Sequence, residues 1–307
     1  MSPLAFCARN GRWLLVAGLP VAIAIPPLAI AIRPLLPELV ALMLFLAALR
    51  IGPRRAVGAL HELRGTALLA LCFQVAMPLT MLALFALAGV ETHPAALALV
   101  LGWSASPIAG SPNLTLMVGG DPAPSLRLLI FGTAVLPLTV VPVFWGLPVL
   151  GSAEAVTASV LKLLATIGLA AGLAFALRTW PLRELTDKGR TRIDGLSAIT
   201  MTVMVLGLMS EVGPALIHRP VELAGWMALA LAANLGPQLT LAWLGRGKVA
   251  PATLPALAIS AGNRNIALFL VALPPQVMDT LLLFIGCYQV PMYLTPLIMQ
   301  RVYRQER

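Results

Sequence analysis

The sequence predicts an all-α polytopic membrane protein, with ten transmembrane helices arranged as two inverted repeats of five helices. Three observations predict it: the composition, the placement of the basic residues, and motifs shared by the two halves of the chain. Of the 307 residues, 59% are hydrophobic and only 11% are charged, and the mean hydropathy is +0.92. A water-soluble domain of this length cannot bury so much apolar surface, so its natural solvent is lipid.

Ten stretches of the chain are apolar enough to serve as transmembrane helices, each of which needs about 20 such residues. The second stretch is the shortest. The predicted spans are 13–32, 36–50, 66–89, 95–118, 125–148, 155–177, 195–212, 221–244, 251–273 and 277–299.

The basic residues test this count, because cytoplasmic loops of membrane proteins are enriched in Lys and Arg. If the N-terminus is cytoplasmic, ten spans place 17 of the 21 Lys and Arg on the cytoplasmic side, three outside, and Arg264 inside span nine. The cytoplasmic set is Arg9, Arg12, Arg50, Arg54, Arg55, Arg64, Arg127, Arg178, Arg183, Lys188, Arg190, Arg192, Arg246, Lys248, Arg301, Arg304 and Arg307. The outer set is Arg33, Lys162 and Arg219.

This asymmetry predicts a multi-pass protein of the cell's inner membrane, with both termini in the cytoplasm. The excess of basic residues, a net charge of +9, is then explained by their place in cytoplasmic loops and by attraction to anionic lipid head groups. It does not indicate nucleic-acid binding. The three cysteines form no CxxC motif, and His61, His93 and His218 fall in predicted loops without the spacing of metal ligands. No cofactor is therefore expected.

The two halves of the chain share motifs in the same order. Residues 109–113 in span four and 261–265 in span nine both read A-G-x-x-N. Residues 132–142 in span five and 286–296 in span ten both read G-x4-P-x4-P, again about half the chain apart. These matches predict one five-span repeat over 1–150 and a second over 151–307. Because five is an odd number, the second repeat enters the membrane from the opposite side, which is an architecture typical of transporters.

Spans four and nine are predicted to be broken near mid-membrane. Pro107, Gly110 and Pro112 interrupt span four, and Pro255 and Gly262 interrupt span nine. Interruptions at corresponding positions of two repeats are the best indication of a transport site that a sequence offers. Six polar residues at the breaks can bond the opened backbone or a ligand: Ser106, Ser111, Asn113, Ser260, Asn263 and Asn265. Four amides in neighbouring spans either line a cavity or form interhelical hydrogen bonds: Gln74, Asn234, Gln238 and Gln289.

The spans, the S-P-N and G-G-D motifs of span four and its exit, and A-G-N-R-N in span nine resemble the bile acid:sodium symporter superfamily. The resemblance covers nearly the whole chain. It implies that the discontinuous spans four and nine cross each other. It also implies a core of spans three, four, five, eight, nine and ten, and a panel of spans one, two, six and seven. Substrate would bind between core and panel, and sodium near the crossing.

The resemblance carries over only part of a sodium site. Ser111 and Ser125 match hydroxyl ligands, and Asn113 lies one position from a ligand asparagine. Ser260 and Arg264, however, stand where sodium-binding members have glutamate and glutamine. Because hard cations prefer oxygen ligands, carboxylates above all, the resemblance implies altered or absent sodium coupling. Transport could instead be coupled to protons, proceed by exchange, or have no coupling ion.

Arg264 is the one basic residue near the middle of a predicted span, where a charge costs about 2.5–3.5 kcal/mol on insertion scales. No acidic residue lies deep in a span to balance it. Three interpretations stay open. Arg264 is a built-in cation that occupies the place of sodium and bonds half-helix carbonyls, or it binds a substrate carboxylate in bidentate geometry, or it is a structural residue without a ligand. The first two can hold together.

The function predicted from these features is secondary active transport of a small organic anion by alternating access. The expected partners are that solute and membrane lipids. One alternative is a degenerate transporter that acts as a receptor or a structural membrane subunit. Two minor alternatives are an arsenite-type exporter, whose branch carries a cysteine in span four that is absent from 104–118, and a membrane enzyme, for which no catalytic motif is found.

Overall fold

The structure, a computed structural model, describes residues 2–58, 62–180, 182 and 184–304, without the side chains of Arg12 and Arg304. His61, Arg183 and Arg307, which the sequence analysis placed in loops or at the cytoplasmic side, lie outside the described residues.

The described residues are almost entirely helical. The α-helices are α1 Pro3–Ala24, α2 Pro26–Ile32, α3 Leu36–Ile51, α4 Pro53–Gly58, α5 Leu63–Leu71, α6 Met77–Leu87, α7 Pro94–Ser104, α8 Ser111–Met117, α9 Pro122–Trp145, α10 Ala153–Thr179, α11 Asp187–Leu208, α12 Val212–His218, α13 Pro220–Leu244, α14 Leu254–Gly262 and α15 Pro275–Arg304. Short 3-10 turns are found at Arg33–Leu35, Pro148–Leu150 and Ile266–Val271, and a π-helical segment is found at Cys72–Ala76.

Seven helical segments of the described residues are long and apolar enough to cross a membrane. They are Pro26–Ile51, Leu63–Leu87, Pro122–Trp145, Ala153–Thr179, Asp187–His218, Pro220–Leu244 and Pro275–Tyr303. Two further apolar helices, Trp13–Ala24 and Pro94–Ser104, are shorter. The chain is therefore an all-α, multi-pass membrane protein, as the composition predicts, whereas the count of ten spans stays a prediction.

The first predicted span, 13–32, does not match the helix that forms there. Helix α1 begins at Pro3, where the Ser2 hydroxyl accepts a hydrogen bond from the Ala5 amide at 3.3 Å, and it ends at Ala24. Ile25 precedes a proline and leaves the helical region (φ −127°, ψ 68°), because a proline disfavours helical backbone in the residue before it. The chain then restarts as α2 and continues into α3.

Large apolar side chains cover much of the outer surface. Exposed examples from four different helices are Leu87, Leu138, Leu169 and Val221. Water-soluble proteins rarely expose wide apolar areas, so this surface fits contact with lipid.

The helices form two groups. In the first group, here called the panel (α1–α3, α10 and α11), α1 packs along α11, and α3 contacts both α10 and α11. In the second group, here called the core (α5–α9 and α13–α15), α13 packs against α14 and α15, and α9 contacts α5, α8 and α14. The two groups meet where α10 contacts α9, where α11 contacts α15, and where α3 contacts the 266–271 turn.

Candidate functional site

Two helical stretches of the core are interrupted where the prolines and glycines predict it. Helix α7 ends at Ser104 and α8 begins at Ser111, so residues 105–110 are not helical. Helix α14 ends at Gly262, and residues 263–265 precede a 3-10 turn. The sequence prediction of broken spans four and nine therefore agrees with the local structure.

The two interruptions, here called the paired breaks (residues 105–110 and 263–265), bond to each other as a short antiparallel bridge. The Ile108 amide donates to the Asn263 carbonyl at 3.0 Å, and the Asn265 amide donates to the Ser106 carbonyl at 2.8 Å. Backbone groups freed from a helix inside a membrane need protein partners, because lipid supplies none. Each break thus supplies hydrogen-bond partners for backbone groups of the other break.

Arg264 lies in the second break and is buried, with 1% of its surface exposed. Its Nη2 donates to the carbonyl of Phe73 at 2.6 Å and to that of Trp103 at 2.8 Å, and its Nη1 donates to the carbonyl of Ser260 at 3.2 Å. The guanidinium carbon lies 5.6 Å from the centre of the Phe73 ring, within the range of a cation–π contact. None of the ion pairs among the described residues includes Arg264.

The three acceptors of Arg264 are carbonyls that helices leave partly unpaired. Trp103 and Ser260 lie in the last turns of α7 and α14, where carbonyls lack an intrahelical donor and carry partial negative charge. Phe73 lies in the π-helical segment, where the α-helical bonding pattern is interrupted. The charge of Arg264 is therefore balanced by backbone dipoles from three separate elements of the core.

Gly262, just before the second break, lies against α13 at a distance that admits no side chain. The Asn234 amide donates to the Gly262 carbonyl at 2.9 Å. A Cβ at position 262 would collide with the Asn234 carbonyl and would approach the Gln238 Cγ to 2.5 Å. The Tyr288 hydroxyl donates to the same Gly262 carbonyl and accepts from the Arg264 amide at 3.4 Å.

Asn234 and Gln238 belong to a buried polar network. Asn234 donates to the Asn263 side-chain oxygen at 3.2 Å, and Gln238 donates to the Asn234 side-chain oxygen at 2.9 Å. Thr295 donates to Asn263 at 3.3 Å, and Tyr303 donates to Gln238 at 3.0 Å. Of the two roles that the sequence left open for Asn234 and Gln238, the structure gives them the interhelical one.

Gln74 also forms interhelical bonds. Its amide donates to the Gly132 carbonyl at 3.2 Å and its oxygen accepts from Thr139 at 2.9 Å, which joins the π-helical segment to α9. Gln289, by contrast, lines a cavity. Among the four amides, Gln289 is thus the one that the structure brings to a cavity wall.

The predicted hydroxyl residues in and near the paired breaks are buried. The Ser106 hydroxyl accepts from Thr133 at 3.1 Å, whereas the Ser111 hydroxyl has no hydrogen-bond partner. The Ser125 hydroxyl donates to the Pro122 carbonyl at 3.0 Å and accepts from Thr115 at 3.2 Å. Ser260 is buried as well, and its hydroxyl is unpaired.

Asn113, predicted as a member of the site, is exposed and does not join these residues. Helix α8 begins at Ser111, and each residue of an α-helix turns by about 100°. Ser111 and Thr115, four residues apart, are both buried on one face, so Asn113 between them points to the opposite face. Asn113 therefore lies apart from the buried residues of the breaks, and its assignment to the site stays a prediction.

A cavity of about 400 Å³ lies between panel and core and reaches the paired breaks. Its walls are mainly apolar, with Met43 and Met204 from the panel and Ile108, Phe131 and Met292 from the core. The polar residues of its lining are Thr133, Arg264, Asn265, Gln289, Tyr288 and Tyr293. A volume of this size is within the range of small-molecule sites, and apolar walls with a few polar groups are typical of them.

The cavity extends toward one end of the helices. Its lining includes Ile51 at the C-terminal end of α3 and Val57 in α4. At the other end of α3, about 24 Å away for a helix of 16 residues, Arg33 bonds Glu211, which directly precedes α12, at 2.6 Å and Asp279 of the core at 2.7 Å. Arg33 and Asp279 thus form an ion pair that joins panel and core at the end opposite to Ile51.

Sequence reasoning missed several groups of the site. Tyr288, Thr133 and Thr295 were not singled out, although a buried tyrosine or threonine usually needs a hydrogen-bond partner. The carbonyls of Phe73 and Trp103 could not be found from the sequence, because every residue type has a backbone carbonyl. The hydroxyl residues were thus accessible to sequence reasoning, and the carbonyls were not.

Comparison of the chain with models of known protein families, and with curated proteins, finds no match. The resemblance carried by the motifs therefore stays a prediction.

Proposed function

We propose that the chain is a secondary transporter of a small organic anion, which works by rocking the panel against the core. The observation that carries the proposal is a cavity between these two helix groups that ends at the paired breaks, where a buried guanidinium lies. Substrate sites at broken helices near mid-membrane are characteristic of secondary transporters. A permanent positive charge that has no acidic partner among the residues described favours a negatively charged solute.

We also propose ten spans in two inverted repeats, with both termini in the cytoplasm of a cell with an inner membrane. Two facts support the repeat. Each break overlaps a shared A-G-x-x-N motif, and the two breaks bond to each other in an antiparallel arrangement. In this topology the cavity mouth near Ile51 faces the cytoplasm, and the pair of Arg33 and Asp279 lies on the outer side.

Of the three interpretations of Arg264, the built-in cation is supported best. Both Nη atoms bond backbone carbonyls, which are oxygen ligands of the kind that a hard cation takes. A sodium ion there would meet the guanidinium at short range. It would also lack the carboxylate that sodium-binding members of the resembled superfamily have at the position matching Ser260. We therefore propose that transport is not driven by sodium.

Uptake into proteoliposomes tests this proposal. The purified protein is expected to take up at least one monocarboxylate from a panel of radiolabelled organic acids faster than empty liposomes do. The initial rate is expected to be the same, within twofold, when external sodium is replaced by potassium. A rate that requires sodium would contradict the built-in cation. Binding without uptake of any acid would instead favour the receptor alternative.

The ion pair of Arg33 with Asp279 is expected to hold the outer side of the cavity closed. Asp279→Asn removes this bond, and half-exposed ion pairs contribute up to about 1 kcal/mol, so the outward-open population should rise by about twofold to fivefold. The measurement is labelling by an impermeant maleimide of a cysteine placed at Leu268, which lines the cavity, in a protein without its three native cysteines.

The matched control for this experiment is Asp194→Asn. Asp194 pairs with Arg50 at 2.6 Å, and both belong to the panel, so its loss should leave the labelling rate unchanged. Equal labelling of wild type and Asp279→Asn would show that the pair does not act as a gate.

A further inference from the structure

Three helices of the panel meet at one end, where the chain carries a group of arginines. Arg50 of α3 pairs with Asp194 of α11 at 2.6 Å. The guanidinium of Arg178, at the end of α10, lies against the junction of α3 and α4, since a Cβ at Gly52 would come within 2.9 Å of its Nη2. Buried apolar side chains of α3, α10 and α11 form one cluster next to these contacts. The ends of the three helices are therefore adjacent.

This end of the panel has an excess of positive charge. Seven basic and three acidic residues lie in segments 50–58, 176–180 and 184–194. Arg54 and Arg55 of α4 are exposed. Arg190 is exposed as well, and it lies one helical turn before Asp194, on the face of α11 that contacts α3. Among the described residues, none of the ion pairs includes Arg54, Arg55 or Arg190.

These arginines lie at the level expected for lipid head groups. Two helical segments long enough to cross a membrane, Pro26–Ile51 and Ala153–Thr179, end directly beside them. Trp180 follows the second segment and has 89% of its surface exposed. Tryptophan at the end of a span is typical of the boundary between lipid tails and head groups. The phosphates of the surrounding lipids therefore lie at the height of the arginines.

Helix α4 connects the arginines to the cavity between panel and core. Ala56 and Val57 of α4 belong to the cavity lining, whereas Arg54 and Arg55 of the same short helix are exposed. A head group bound by these two arginines would therefore lie beside the mouth of the cavity.

We propose that this surface, here called the panel patch (Arg54, Arg55, Arg178 and Arg190), binds the phosphate of an anionic phospholipid. Guanidinium groups bond phosphate oxygens in bidentate geometry, and α4, α10 and α11 bring several of them to one place. The proposal is a local site that selects anionic over neutral phospholipid, in contrast to a general attraction of all basic loops to the membrane. It does not rest on the proposed transport function.

Lipid selectivity at Trp180 tests the proposal. The full chain is reconstituted in phosphatidylcholine with increasing amounts of brominated phosphatidylglycerol or of brominated phosphatidylcholine, both of which quench tryptophan fluorescence. The signal of Trp180 is the difference between wild type and Trp180→Phe. An arginine near an anionic surface contributes about fivefold in affinity. Equal quenching of Trp180 should therefore need at least about fivefold less of the anionic lipid than of the neutral one.

The double variant Arg54→Gln/Arg55→Gln should lose most of this preference. The matched control is Lys248→Gln/Arg301→Gln, which removes two exposed basic residues that the sequence also places on the cytoplasmic side, away from the patch. The control should keep the preference of the wild type. Both variants replace exposed residues, so they should unfold at the temperature of the wild type.

Three results would overturn the proposal. The first is equal quenching of Trp180 in wild type by the two brominated lipids. The second is a preference that Arg54→Gln/Arg55→Gln retains, or that the control loses to the same extent. The third is a preference that soluble glycerophosphoglycerol abolishes, because the patch would then bind a free phosphate compound and not a lipid.

This experiment is independent of the transport assay. If Trp180 shows the preference but no organic acid is taken up, the lipid site stands and the proposed function is wrong. If uptake is observed without any preference at Trp180, the transporter stands and the lipid site is wrong.

Discussion

Arg264→Ala is expected to abolish transport and to lower the free energy of unfolding by about 1–3 kcal/mol, the range for leaving a buried polar group without its hydrogen-bond partner. The substitution leaves the carbonyls of Phe73, Trp103 and Ser260 without this donor, at a position where Arg264 has 1% of its surface exposed. The measurements are uptake in proteoliposomes and thermal unfolding of the detergent-purified protein.

Two further substitutions separate the charge of Arg264 from its packing. Arg264→Lys retains the charge but replaces a planar fork by a single ammonium, so we expect it to be more stable than Arg264→Ala and less stable than wild type. Arg264→Gln removes the charge. If the guanidinium stands in place of a coupling ion, the Gln variant should lose uptake in potassium and regain part of it in sodium.

Arg301→Ala is the control for the general effect of losing an arginine, because Arg301 is exposed. Its stability should stay within about 0.5 kcal/mol of wild type. If Arg264→Ala folds and takes up substrate as wild type does, Arg264 is neither a built-in cation nor a substrate ligand. If Arg264→Lys is less stable than wild type but its uptake is normal and independent of sodium, Arg264 has a structural role only.

Gly262→Ala is expected to destabilise the protein by about 3 kcal/mol, the upper end of the range for overpacking. The added Cβ meets the backbone carbonyl of Asn234, which cannot turn away as a side chain would. To make room, α14 must move from α13, and this shift displaces the second break that carries Arg264. We therefore expect reduced uptake as well as a lower melting temperature.

Gly225→Ala is the matched control for Gly262→Ala. Gly225 lies inside α13, and a Cβ there meets no atom within 4 Å. Because alanine favours a helix over glycine by about 1 kcal/mol, this variant should be as stable as wild type or more stable. If Gly262→Ala behaves like Gly225→Ala, the close approach of α14 to α13 is not required.

The sequence by itself determined the class of the protein and the position of its interruptions. Long apolar stretches predict membrane-spanning helices, because the free energy of transferring each side chain to lipid depends on that side chain alone. Proline and glycine act on their own turn of helix, so the breaks at 105–110 and 263–265 could be located from residue identity. The cost of a charge in an apolar span marked Arg264 as the residue to explain.

Only the tertiary structure decided what these residues contact. The acceptors of Arg264 include the carbonyls of Phe73 and Trp103, which lie 191 and 161 positions away and could belong to any residue type. Asn113 and Ser111 are two residues apart on α8 and therefore point to opposite faces of that helix. Which of the two faces the core depends on how α8 packs. Gln74, Asn234 and Gln238 face neighbouring helices and Gln289 faces the cavity, although all four are amides in apolar spans. Hydropathy and backbone preference act within a few residues, whereas partners and cavities depend on how distant helices pack.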